Sequence, residues 1–128
     1  LWMAIVSLDA VVEAGYGLPG TADVAAAQAL IEAGKACDDE PWRLPLPEAY
    51  REWLKSDVAD MNNISNNAFA GASVAGLFLD RFVGDGIDWA HFDTFAWRPS
   101  AKPGRPAGGA AYGLRATFHM LRARYAGN

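Results

Sequence analysis

Cysteine is almost missing from this chain: Cys37 stands alone among 128 residues, so no internal disulfide can form. A lone thiol suits a reducing compartment, and a cytoplasmic location is expected. Histidine is nearly as scarce, and neither His91 nor His119 has a cysteine or glutamate at zinc-ligand spacing. Positive charge is in deficit. Eleven Lys and Arg against fifteen Asp and Glu leave a net charge of −4, so no overall field draws the chain to nucleic acid or an anionic membrane surface, and neither partner is expected. Long hydrophobic runs are missing too. The nearest, Ala68 to Leu79, is interrupted by Gly and Ser and falls short of the roughly 20 residues a membrane span needs. The chain opens Leu1-Trp2-Met3 with no charged leader before an apolar run, and it reads as though entered mid-domain.

What the chain has in quantity is apolar surface. A hydrophobic fraction of 52% with five Trp lies at the apolar end for one domain of this length. Part of that surface is expected to be hidden against a partner or a further portion of a domain.

Met3 to Leu8 is an apolar run with the length of a buried strand. Gly15-Tyr16-Gly17-Leu18-Pro19-Gly20 is a loop by its breakers, and Thr21 is placed to cap a helix carrying Val24, Ala27 and Ile31. Gly34 is expected to end that helix. Prolines from Pro41 to Pro47 impose extended chain, Glu48 to Leu54 reads as a second helix, and Ser56 to Asn67 is polar and irregular. Val74, Leu77, Phe78 and Phe82 mark a buried face of a third helix. Asp85-Gly86 is a turn, Trp89 to Phe95 a candidate strand, and Leu114, Phe118, Leu121 and Tyr125 the stripe of a last helix before Gly127. The βαααβα order predicts an α/β fold, a partial mixed sheet flanked by helices, with fewer strands than so many helices need for cover.

Local motifs carry little chemistry. Gly15-x-Gly17-x-x-Gly20 matches a dinucleotide fingerprint in letters only, because Pro19 precedes the third glycine and the helix starts after it. His91 and Asp93 would share a strand face, and Asp57 and Asp60 lie three apart; a hydrogen-bonded strand end and a solvated loop account for them. Acidic Asp38 and Asp39 disfavour a thiolate at Cys37. Arg98, Lys102 and Arg105 form a small cationic loop able to hold a carboxylate or another anion.

One ordered series says more. Trp42-Arg43-Leu44-Pro45-Leu46 is followed by Leu54-Lys55-Ser56-Asp57-Val58-Ala59-Asp60-Met61-Asn62-Asn63-Ile64, then Phe69-Ala70-Gly71-Ala72 and Trp89-Ala90-His91-Phe92-Asp93. It closes on Ala96-Trp97-Arg98-Pro99-Ser100-Ala101-Lys102-Pro103-Gly104-Arg105-Pro106. In this order and spacing the string resembles the carboxy-terminal part of a leucyl (cytosol) aminopeptidase catalytic domain. The resemblance runs from about Thr21 onward.

The resemblance implies that residues 1–128 form the carboxy-terminal segment of a larger three-layer α/β/α domain. It implies a family of two-metal hydrolases that remove amino-terminal residues from peptides, with two zinc or manganese ions activating a bridging water. The family's metal ligands and catalytic Lys and Arg belong to an upstream stretch that includes Asn-Thr-Asp-Ala-Glu-Gly-Arg, and no such motif occurs between Leu1 and Asn128. No catalytic residue and no metal ligand is therefore assigned, and no cofactor is expected in this chain. A peptide substrate is expected only if upstream residues complete the site. Three substrate-binding positions carry over: Leu8, in a degenerate Ser7-Leu8-Asp9-Ala10 version of the family's Thr-Leu-Thr-Gly loop; Ile64, a pocket wall; and Phe95, whose bulk would narrow that pocket. The family also implies a homo-oligomer, a hexamer. The expectation is a relative of such an aminopeptidase that is inactive as these 128 residues alone; the alternative is a non-catalytic remnant acting in assembly or binding.

Overall fold

The computed structural model describes residues 10–11, 22–83, 87 and 89–126. The expected strand Met3–Leu8, the loop Gly15–Gly20, the Thr21 cap, the Asp85-Gly86 turn and Gly127 lie outside these residues, as does Leu8.

The alanine-rich helix α1 runs Ala22–Cys37, a turn past Gly34. Alanine is the strongest helix former, and one glycine costs the helix only about 1 kcal/mol. The residue that ends α1 is Asp38, which takes the left-handed conformation at φ 55°, a region aspartate tolerates better than most side chains. The N–H of Asp39 then donates to the Gly34 carbonyl at 2.9 Å, the reverse-turn bond of a Schellman ending. Gly34 serves close approach instead: a Cβ there would lie 2.4 Å from Pro41 Cδ and 2.6 Å from the Asp39 carbonyl oxygen. The chain doubles back over a helix face that has no side chain. It then enters β2 (Trp42–Arg43), which pairs in parallel with β1 (Ala10–Val11) through Ala10–Trp42 and Val11–Arg43. A parallel pair needs such a crossover, and α1 supplies it.

Glu48–Leu54 is helical over the expected bounds, but it is a 3-10 helix entered from Pro47. Three residues per turn eclipse positions i and i+3. The consequence is visible in three pairs: the Tyr50 and Trp53 rings stack at 4.0 Å, Arg51 pairs with Glu48 at 2.8 Å, and Lys55 pairs with Glu52 at 2.7 Å. Ser56 to Asn67 holds no helix or strand, as expected.

Helix α2 spans Gly71–Asp80 and buries Val74 and Leu77 against Leu46 and Leu54, with Tyr50, Trp53, Phe78 and Trp89 packed around them. The fourth member of its expected stripe, Phe82, falls beyond the helix and is exposed. Gly76 faces Leu46, and a Cβ there would come 2.7 Å from Leu46 Cδ2. That methyl ends a flexible side chain and can yield. Gly76→Ala is therefore expected to lower stability by only about 1 kcal/mol, helix propensity offsetting part of the repacking cost, as read from the urea midpoint.

Trp89 to Phe95 is not a strand; Ala90 makes a single bridge and the rest is irregular. Ala96 at φ 52° turns the chain out of the extended region, so pairing starts after it. β3 (Trp97–Arg98) and β4 (Gly108–Gly109) form an antiparallel hairpin, with Lys102 and Arg105 bridged inside it. The described residues are thus α/β, with one parallel and one antiparallel strand pair among them. The pairing is mixed, as expected, but divided between two small sheets.

Helix α3 (Leu114–Tyr125) packs on α1, where Ala116 and Leu30 are buried with Phe92 and Met120 beside them. Its expected stripe, Leu114, Phe118, Leu121 and Tyr125, faces outward and is exposed.

Candidate functional site

The segment after the 3-10 helix is held by asparagines. Asn62 donates its backbone N–H to the Leu54 carbonyl at 2.8 Å and its side-chain amide to the Lys55 carbonyl at 2.6 Å, and the Asn66 N–H reaches the Trp53 carbonyl at 2.9 Å. These bonds satisfy carbonyls at the end of a short helix that has no further turn to use them. Ser56 Oγ accepts from the N–H groups of Val58 and Ala59 at 3.3 and 3.1 Å, so this loop is shaped by side-chain-to-backbone bonds. Ile64 projects from it at 75% exposure. Asp57 and Asp60 are exposed in the same loop.

Phe95 precedes the left-handed Ala96 at the base of the hairpin and is 51% exposed. Clefts on the described surface include three: one of about 1080 Å³ between α1 and α3, one of about 250 Å³ beside Arg51 and Met61, and one of about 670 Å³ against Phe92 and the outer side of α3. Neither Ile64 nor Phe95 borders any of the three or belongs to either buried cluster.

A junction that local motifs did not reveal is the best-defined polar arrangement. Asp39 is 4% exposed. Its Oδ1 accepts from the Gly113 N–H at 3.0 Å, and its Oδ2 from the N–H groups of Arg115 and Ala116 at 2.9 and 3.1 Å. The Arg115 and Ala116 amides are those that a capping side chain at a helix start would normally take. Gly113, at the cap position, has no side chain to offer. It must be glycine for two reasons: φ is 78°, and a Cβ would meet the Phe92 ring at 2.9 Å. Asp38 completes the junction. Its carbonyl accepts from Arg105 and Arg115 at 2.9 and 2.7 Å, and its carboxylate pairs with Arg105. The anion-binding capacity expected of the Arg98–Arg105 loop is thus partly used within the chain.

Arg51 joins Glu48, Asp80 and the Leu77 carbonyl, tying the 3-10 helix to the end of α2. Partial burial alone would lower the Arg51 pKa, but the bonds and charges of Glu48 and Asp80 outweigh it and the pKa is raised. His119 Nδ1 lies 3.4 Å from Arg122, and its ring meets Phe118 edge-on. Cys37 Sγ donates to the Gly34 carbonyl at 3.6 Å.

The model of the cytosol aminopeptidase family, catalytic domain, matches residues 4–118. The chain belongs to the cytosol aminopeptidase family. A protein from Caulobacter vibrioides named a probable cytosol aminopeptidase is 46% identical over 101 residues, 77% of this chain and 20% of its own length. The crystal structure of a cytosol aminopeptidase from Coxiella burnetii superposes with a TM-score of 0.82 at 47% identity, covering 95% of this chain and 25% of that one. The bottromycin maturation enzyme BotP, solved in complex with Mn, superposes at 0.73 with 34% identity, covering 81% of this chain and 23% of its own. The chain therefore spans about a fifth to a quarter of these family members' length.

A divalent ion needs several converging anionic or imidazole ligands. Among the described residues, no group of three or more His, Cys, Asp and Glu side chains is placed to hold one. The donors described do not fit a metal centre, so no chemical step is derived through one. No helix of the described residues is long and apolar enough to cross a membrane.

Proposed function

We propose that this chain is the carboxy-terminal segment of a metal-dependent aminopeptidase catalytic domain, serving as its scaffold and part of its substrate pocket. The observation that carries the reading is the family match over residues 4–118 together with the 0.82 superposition on the Coxiella burnetii enzyme. In this reading the domain hydrolyses amino-terminal residues from peptides with two divalent ions, zinc or manganese, held by residues other than those described. Leu8, Ile64 and Phe95 contact the substrate's first side chain or backbone once the pocket is complete. The exposure of Ile64 and Phe95 supports this, because apolar side chains left open to water are available to a ligand. The native assembly is a cytoplasmic homo-oligomer.

These 128 residues alone are expected to release no leucine from leucine amide when zinc or manganese is added. A coupled or chromatographic assay of free leucine checks it. Sustained turnover abolished by a chelator would show that the ligand set lies within the chain.

The second reading is a non-catalytic remnant acting in assembly or binding, favoured by the exposed apolar residues of α3. It predicts association without hydrolysis in every context, including that of a completed domain.

A further inference from the structure

We infer that Arg105 is a positioning residue: its pair with Asp38 latches the β3–β4 hairpin to the end of α1 and thereby sets where Phe95 stands. The inference rests on the reading of Phe95 as a pocket wall. An element with few contacts to the body is the part free to move as a unit. Among the described residues, neither β3 nor β4 contacts a helix or the other strand pair. Only the feet of the hairpin are packed. Phe92, three residues before Phe95, lies beside Leu30 and Ala116, and Gly113, four residues beyond β4, gives its N–H to Asp39. Arg98 over the Tyr112 ring at 5.5 Å joins the two arms to each other and not to the body.

A ribbon pinned at both feet can swing about them unless it is tied farther out. Among the described residues, every hydrogen bond and ion pair that ties residues 99–107 to the body is made by Arg105 and goes to Asp38. Asp38, at φ 55° just past α1, presents its carbonyl, at 2.9 Å, and its carboxylate to the same guanidinium nitrogen. Phe95 lies between the packed foot at Phe92 and the swinging arm. The Ala96 carbonyl accepts from the Ala110 N–H at 2.9 Å, so the left-handed turn after Phe95 moves with the strands. The Asp38 side chain is 88% exposed. A pair this open is screened by salt and favours the latched arrangement by about fivefold at most. It adds little to stability, yet it decides position.

The test is the amide NMR spectrum of the full, isotope-labelled chain. The Phe95, Ala96 and Trp97 resonances of the wild type should shift as sodium chloride rises from about 0.1 to about 1 M, where screening reaches contact range. Arg105→Gln and Asp38→Asn should each shift the same resonances in the same direction at low salt and abolish the salt response. Asparagine keeps the left-handed turn. Arg105→Lys, which keeps the charge, should restore part of the wild-type position. Leu77, buried in the other cluster, is the reference and should not move. Resonances at Phe95 to Trp97 that ignore Arg105→Gln would overturn the inference. So would shifts at Leu77 as large as theirs, or Arg105→Lys as displaced as Arg105→Gln. Function is read in a chimera in which this chain replaces the matched quarter of the Coxiella burnetii enzyme. There Arg105→Gln should raise KM for leucine amide by up to about fivefold at nearly unchanged kcat. An active chimera with unchanged KM overturns the positioning role. A folded but inactive chimera, with the resonance shifts in place, overturns the aminopeptidase reading and leaves the latch standing.

Discussion

Asp39→Ala is expected to lower the stability of the chain by about 3–4 kcal/mol, which a urea titration followed by tryptophan fluorescence would register as a large fall in midpoint. The side chain is nearly fully buried and accepts three backbone N–H bonds at the start of α3. Truncating it leaves these donors without their acceptor, and an unsatisfied buried amide costs about 1–3 kcal/mol. It also removes a negative charge from the positive end of a helix dipole. Asp39→Asn should lose less, about 1–2 kcal/mol, because one oxygen still accepts while the new amide faces donors. Asp38→Ala is the control. Its carboxylate pairs with Arg105 in the open, at 88% side-chain exposure, and such pairs contribute about 1 kcal/mol or less. A loss at Asp38 as large as at Asp39 would mean that the cap is not what holds α3.

Gly34→Ala should lower stability by about 2–3 kcal/mol, against the usual preference for alanine in a helix. Propensity alone would favour the change by about 1 kcal/mol. The added methyl, however, would sit 2.4 Å from Pro41 Cδ and 2.6 Å from the Asp39 carbonyl. A proline ring and a backbone oxygen cannot swing aside as Leu46 can at Gly76, so the chain leaving α1 must shift. That shift moves Asp39 off the amides of α3. The double variant Gly34→Ala/Asp39→Ala should then cost less than the two singles combined, by at least about 1 kcal/mol. Additive losses would separate the tight turn from the cap.

These two residues also mark where reading the sequence stops. Local signals were sufficient for the bounds of the helical turn Glu48–Leu54, though not for its 3-10 form, because Pro47 fixes its start, and for α2, because Val74 and Leu77 recur at helical spacing. Periodicity also located α3, but it reports which residues share a face and not what covers that face; Leu114, Phe118 and Leu121 point away from α1. Gly34 was misplaced because glycine has two uses in a helix, ending it or admitting a neighbour, and only the path of Pro41 distinguishes them. Trp89 to Phe95 has strand composition, but a left-handed alanine cannot be read from its letter. The Asp39 cap has no local signature at all, since donor and acceptor lie in different parts of the chain. Of the candidate site, Ile64 and Phe95 remain proposals that rest on the order of motifs marking the family, since neither borders a described cleft.

The distance between Asp39 and its amides has a consequence for how the chain acquires its shape. Asp39 and Gly113 are 74 residues apart in sequence. Most helices carry their cap beside them and can nucleate locally. The start of α3 has to wait for α1 to end, for Asp38 to turn and for a long loop to close, a step whose entropy cost rises with the chain enclosed. The last helix is therefore expected to form late and all at once, and its amides should gain protection from hydrogen exchange together with those at the end of α1.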